Sequence, residues 1–346
     1  MIELHEILKL QQKIIPELMI LLEKRYNILR TIYYNQPIGR RILAKKLEIG
    51  ERVVRTEINF LKEQNLISIG TPGMLVTREG EEIIDKLKNF IREIKGLTEV
   101  EDYLREKLKI KKVIIVPGSI DDDETVLDEL GRTAAKYVES VIVDGNTIAI
   151  TGGTTMKKVI DNFSTSLRYH NTIVVPARGG MSRKVETEAN TLAANFADKL
   201  GAAYRLLHVP DNLSSEIMNV IINEKGIKDI IDTIRKADII IYGIGRADEM
   251  SRRRGLSIEE TSKILEGGSV GEAFGYFFNN EGKVVCSTPS IGLKSDDIRN
   301  AKNLIAVAGQ KSKAEAIIST QINNNNNVLI TDEGAANEIV KILSGK

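Results

Sequence analysis

The sequence predicts an α/β protein in two parts: a winged helix-turn-helix followed by a doubly wound, mostly parallel sheet domain. Three observations carry this. Residues 39–65 hold two helical patterns separated by a glycine turn, one of them with a basic outer face. Residues 66–77 hold two short β-branched runs on either side of Gly70-Thr71-Pro72-Gly73, the composition of a hairpin turn. Beyond residue 97, seven short apolar runs alternate with amphipathic helical segments, at 113–116, 147–151, 172–175, 204–209, 238–242, 304–307 and 328–331.

In chain order, residues 4–22 and 26–35 read as helices, with Pro16 capping or kinking the earlier one. The run Ile42-Leu43-Ala44-Lys45-Lys46-Leu47 alternates expected buried and basic positions at helical spacing, and Glu48-Ile49-Gly50 makes the turn. In the second helix, residues 51–66, Val54, Ile58 and Leu61 form one apolar stripe, and Arg52, Arg55, Thr56, Asn59 and Lys62 lie opposite. That side is what a recognition helix presents to a major groove, and Arg40 and Arg41 add to the candidate DNA contacts. The hairpin is the wing. A helix over 78–95 ends at Gly96, and Thr98-Glu99-Val100-Glu101 offers a capping box for a further helix through Ile110. The domain boundary is expected between residues 96 and 97, giving a DNA-binding domain over 1–96 and an effector-binding and oligomerisation domain over 97–346.

Several of the later strands are continuous apolar runs, which implies helices on both faces of the sheet. Residues 274–278 and 283–286 suggest a hairpin through Asn279-Asn280-Glu281-Gly282, and the asparagine run 323–327 reads as a surface loop.

Composition excludes several classes. The 346 residues are 42% hydrophobic and 28% charged, and no apolar run approaches the ~20 residues of a membrane span. The amino terminus lacks a signal-peptide pattern and Cys286 is the only cysteine, so a soluble, cytoplasmic protein without a disulfide or membrane association is expected. His5, His170 and His208 have no ligand spacing, and neither a metal nor a cofactor is expected. Between Lys24 and Lys62 ten Lys or Arg face three Asp or Glu, a local excess of seven in a chain whose net charge is +1. A charge run alone is more often a solvated face, but joined to the turn and the apolar stripe it points to a polyanion.

In doubly wound sheets ligands bind beyond the carboxyl ends of the strands. There Gly152-Gly153-Thr154-Thr155 precedes a helix over 156–163, a cradle of backbone N–H groups, hydroxyls and a helix amino terminus suited to phosphate. Pro176-Ala177-Arg178-Gly179-Gly180 adds a guanidinium in a glycine-opened loop. Gly243-Ile244-Gly245 lacks the third glycine of a dinucleotide fingerprint, and Gly309-Gln310-Lys311-Ser312-Lys313 lacks the glycines of a P-loop, which leaves Lys313 as a point-charge phosphate ligand. Glu272 is a carboxylate for sugar hydroxyl groups.

Taken together, Arg41-Ile42-Leu43-Ala44, Glu51-Arg52-Val53-Val54-Arg55, Thr151-Gly152-Gly153-Thr154-Thr155, Pro176-Ala177-Arg178-Gly179-Gly180 and Gly309-Gln310-Lys311-Ser312-Lys313-Ala314 resemble the SorC family of bacterial transcription regulators, in particular its branch acting on glycolytic genes. The resemblance runs over nearly the whole chain. It implies a Rossmann-like effector domain similar to glucosamine-6-phosphate deaminase and ribose-5-phosphate isomerase. It also implies repression of a glycolytic operon relieved by fructose 1,6-bisphosphate, and a homodimer or homotetramer on paired sites in double-stranded operator DNA. Carried over by position, its effector site falls on Gly152, Gly153, Thr154, Thr155, Arg178, Glu272, Lys313 and one of Arg252, Arg253 and Arg254, with Arg253 favoured.

The competing reading is a sugar-phosphate isomerase or deaminase fused to a DNA-binding module, since fold does not settle function. Deaminases of this type use a histidine in a loop resembling 243–249, where this chain has Arg246, Ala247 and Asp248; Asp248 or Glu249 would lack a partner acid. A sensor without catalytic residues is therefore expected. A third reading keeps the regulator and replaces the effector with another sugar phosphate.

Overall fold

The computed structural model describes residues 13–164, 168–180, 184–209, 215–321 and 325–345. Two compact units make up the chain: one runs to Glu99 and takes in Asp122–Val126, and the other comprises Val100–Asp121 and Leu127–Lys346.

The first unit contains α1 (Pro16–Asn35), α2 (Arg40–Lys46), α3 (Glu51–Glu63), the strands β1 (Ile67–Gly70) and β2 (Gly73–Val76), and α4 (Arg78–Ile94). Pro16 opens α1, where its fixed φ suits a first helical position and its missing N–H costs nothing. The gap expected between residues 22 and 26 is not there: the helix runs straight through Glu23-Lys24-Arg25. These charges interrupt the apolar pattern because two of them bridge helices: Lys24 and Arg25 donate to Glu57 of α3 at 2.8 and 2.9 Å. The part of the expected first helix before residue 13 lies outside the described residues. The core gathers Tyr26, Leu29, Ile32, Leu43, Val54, Ile58, Leu61, Ile67, Met74 and Ile84 from every element. Ile42, expected to help cover this core, is exposed. β1 and β2 pair as the expected antiparallel wing, and Met74 exchanges backbone hydrogen bonds with Ile38 at 2.9 and 3.2 Å, fastening the wing to the chain ahead of α2.

Next comes α5 (Leu97–Leu108), which begins before Thr98, so Thr98 is an interior helical residue and the capping box expected there does not form. Leu97 is buried, and its burial fixes the first turn of the helix one residue earlier than capping chemistry suggested.

The second unit continues with β3 (Lys112–Val116), α6 (Thr125–Glu139), β4 (Thr147–Ile150), α7 (Thr154–Asp161), β5 (Ile173–Pro176), α8 (Ala189–Leu200), β6 (Ala203–Tyr204), α9 (Ser215–Asn223) and α10 (Lys225–Arg235). Then follow β7 (Ile239–Tyr242), β8 (Gly245–Arg246), α11 (Ala247–Arg253), α12 (Ile258–Glu266), β9 (Ser269–Ala273), β10 (Tyr276–Asn279) and β11 (Val284–Ser287). The chain closes with α13 (Ser295–Asn300), β12 (Asn303–Val307), α14 (Ala314–Gln321), β13 (Asn327–Asp332) and α15 (Glu333–Ser344).

Seven strands form one sheet in the order β3-β13-β12-β7-β4-β5-β6, and every pair in it is parallel. All residues of β7 and β13 are buried, as both faces of a covered parallel sheet require. From β4 the chain steps outward to β5 and β6, then returns to β7 on the other side of β4 and steps away to β12 and β13. The winding direction therefore reverses between β4 and β7, and a crevice opens at their carboxyl ends.

The remaining strands form a separate antiparallel sheet, β11-β10-β9-β8. Its β10-β11 hairpin was expected; β8 and β9 were not. Phe274 is not in the strand assigned to it but in the β9-β10 turn, with φ 56° and its ring 4.6 Å from that of Tyr242. Of the expected strand over 204–209 only Tyr204 lies in a strand, as the last residue of β6. Leu207 is buried there without a ladder because the Asn190 side chain stands in for a neighbouring strand, accepting its N–H at 2.9 Å and donating to its carbonyl at 3.0 Å. Of the asparagine run, residues 323 and 324 lie outside the described residues, and Asn327 is a buried residue of β13 whose side chain donates to Tyr242 Oη at 2.8 Å.

Candidate functional site

In the first unit Arg40, Arg41, Arg52, Arg55, Thr56, Asn59 and Lys62 are all exposed. Helix α3 turns Val54, Glu57, Ile58 and Leu61 inward, so its 3.6-residue period leaves the polar set outward. Three of the ten cations counted in this stretch are otherwise engaged. Lys24 and Arg25 hold Glu57, and Arg30 is buried in an ion pair with Asp123 of the same unit at 2.6 Å. Burial pushes the Glu57 carboxyl up, but the hydrogen bonds from Lys24 and Arg25 outweigh it and hold the group below the usual carboxylate range. Glu57 therefore anchors α3 to α1, a role signalled in the sequence by a glutamate falling within an apolar stripe.

In the second unit one cleft of about 610 Å³ is lined by Gly152, Gly153, Thr154, Thr155, Arg178, Arg253, Glu272 and Lys313, so the structure brings every expected effector residue to one place. The cleft lies at the carboxyl ends of β4, β5, β7 and β12. Gly152 lets the backbone pass close to the chain before α8, since a Cβ there would stand 2.7 Å from the Thr187 carbonyl. Gly153 takes φ 121°, open to glycine alone, and is an N-cap without a side-chain cap. Its N–H is not available as the sequence suggested, because it donates to Thr187 at 2.9 Å. The available donors are the first-turn N–H groups of α7, which begins at Thr154 rather than at Met156.

Glu272 also departs from expectation. It is buried, and its Oε1 accepts from Arg254 Nη2 and from the Gly275 N–H at 2.5 Å, with Arg178 Nη1 4.0 Å away. That oxygen serves the protein rather than a sugar hydroxyl. Within the run 252–254 the pairings differ: Arg252 bonds Asp248, Arg254 bonds Glu272, and Arg253 makes no ion pair among the described residues. Arg254 is the residue sequence reasoning missed; the three adjacent arginines signalled it without distinguishing it.

Lys313 sits in a helical turn after β12, half-buried, with no ion pair among the described residues. Burial lowers its pKa most; Arg253 adds to the lowering, and Glu249, Asp332 and Asp121 oppose it. Buried Asp332 accepts the N–H groups of Ile120, Gln310 and Ala335 at 2.8 to 3.1 Å and so fixes the loop that carries Lys313, in which Gln310 holds φ 89°. Desolvation raises the Asp332 pKa most, against those three N–H groups. Among the described residues no group of three His, Cys, Asp or Glu side chains is placed to hold a metal, and no helix is long and apolar enough to cross a membrane.

Residues 21–91 match the family described as "CggR N-terminal DNA binding domain" and residues 92–341 that described as "Putative sugar-binding domain". The chain is 42% identical to the central glycolytic genes regulator of Priestia megaterium, over 98% of this chain and 99% of that one. It superposes with TM-score 0.65 at 37% identity on the crystal structure of a "putative SorC family transcriptional regulator from Enterococcus faecalis", covering 70% of this chain and all of that one. The chain belongs to the SorC family. It is a DNA-binding transcription regulator with a sugar-binding effector domain, and its relatives are regulators rather than enzymes. The full-length sorbitol operon regulator of Klebsiella pneumoniae shares the fold over 92% of this chain and 99% of its own, with TM-score 0.64 at 20% identity.

Proposed function

We propose that the protein represses a glycolytic operon and that fructose 1,6-bisphosphate, bound in the cleft, lowers its operator affinity. Residues 1–96 form the DNA-binding domain, with Arg40, Arg41, Arg52, Arg55, Thr56, Asn59 and Lys62 on the duplex. Residues 97–346 bind the effector and hold a homodimer or homotetramer together in the cytoplasm. The name of the Priestia relative supports the gene class.

The observation that carries the effector is the placing of two anion-binding sets on either side of β7. The uncapped α7 terminus with Thr154 and Thr155 follows β4, with Arg178 after neighbouring β5; Lys313 follows β12. Strand spacing puts β4 and β12 roughly 10 Å apart, a separation suited to two phosphates on one hexose. Arg253, also without an ion-pair partner among the described residues, joins the Lys313 set, since its charge already acts on that ammonium.

A thermal-shift panel of sugar mono- and bisphosphates tests the reading, because a ligand that binds only the native state raises the melting temperature by mass action. Fructose 1,6-bisphosphate should give the largest shift, and Arg178→Ala and Lys313→Ala should each reduce it. A monophosphate that stabilises the protein at least as well would replace the effector while leaving the site.

A further inference from the structure

We propose that Val53 is a specificity-determining residue that packs, together with the methyl group of Thr56, against the C5-methyl of a thymine in the major groove. The inference rests on the DNA-binding role of the first unit and is independent of the effector. Helix α3 buries Val54, Ile58 and Leu61, and at 100° per residue Arg52, Val53 and Thr56 fall side by side on the outer surface of its first two turns. The amino-terminal residues of a recognition helix are those that reach base edges.

Val53 is 41% exposed although apolar. Phe60, two turns further along the same flank, is covered by the Arg25 guanidinium 3.5 Å from its ring centre. The flank is thus closed toward the end of α3 and open at its start. Thr56 donates its hydroxyl to the Arg52 carbonyl at 3.2 Å, which ties its polar end to the helix and leaves its methyl group for outward contact. A lone exposed valine is unremarkable on most surfaces. Here it shares the outer surface of α3 with Thr56 and, beyond Thr56, the exposed Arg52, so the partner that covers it is a polyanion, and thymine is the one base that presents a methyl group in the major groove.

The test uses the full chain to select duplexes from a random-sequence library, then replaces each thymine of the enriched sequence in turn by deoxyuridine. One replacement should weaken the wild type about fourfold, the worth of one methyl group withdrawn from water. Val53→Ala should bind the thymine duplex more weakly, melt at the wild-type temperature and lose clearly less than the wild type on that same replacement, whereas Val53→Ile should keep the preference. Equal losses in wild type and Val53→Ala at every position would overturn the proposal. So would wild-type affinity in Val53→Ala, or selection that enriches no common sequence.

Discussion

The two basic regions hold their charge in opposite ways. On the winged helix Arg40, Arg41, Arg52, Arg55 and Lys62 stand in water; Arg41 lies 4.0 Å from Glu51 with both side chains largely exposed, a pair of little energetic weight. In the cleft, Arg178 and Arg254 are buried beside Glu272, and Lys313 is half-buried and makes no ion pair among the described residues. The difference matches the partners. Exposed cations suit a long polyanion, where affinity comes from released counterions and is screened by salt. Cations already withdrawn from water are reached only by a ligand small enough to enter the cleft, and salt screens them much less.

The largest effect that would sharpen this contrast is on stability. Arg254→Ala leaves the buried Glu272 carboxylate with the Gly275 N–H and a distant Arg178, so denaturant titration should show a loss of about 3–5 kcal/mol. A change near zero would mean that the cleft cations are no more committed than the surface ones.

Next comes effector binding. By calorimetry Lys313→Ala should lose about tenfold to a hundredfold in affinity, the worth of a charge-assisted contact. An anion beside Lys313 favours its charged form, so affinity is full below the pKa of the free protein's Lys313 and falls as the pH rises through it. Because that pKa is lowered, the fall should begin below the usual lysine range. Lys313→Arg should bind without the alkaline fall, since a guanidinium stays protonated.

The smallest effect belongs to the exposed region. Removing Arg52 and Arg55 together should weaken operator binding and, for each that contacts phosphate, lower the salt slope by about one, with melting unchanged. An unchanged slope with lost sequence preference would make both of them base contacts.

How much of this was legible follows the physics of each element. The parallel strands were readable because strands buried on both faces must be apolar throughout. The antiparallel sheet was not, because β8 has two residues and β9 reads Ser-Val-Gly-Glu-Ala, without alternation. That the glycine, hydroxyl and basic loops would meet was legible because, in a doubly wound sheet, the loops after neighbouring strands converge at the carboxyl edge. Their commitments were not: that Gly153 N–H is spent on Thr187, that Glu272 is held by Arg254, and that Lys24 and Arg25 serve Glu57 are contacts between residues distant in sequence. Local patterns cannot register them.

If effector and operator compete through one conformational equilibrium, linkage makes that competition measurable. Operator affinity is measured with and without saturating fructose 1,6-bisphosphate, and bisphosphate affinity with and without saturating operator duplex. The ligand should weaken operator binding, and the operator should weaken bisphosphate binding by the same factor. Bisphosphate binding with identical affinity to the free and the operator-bound protein would contradict it.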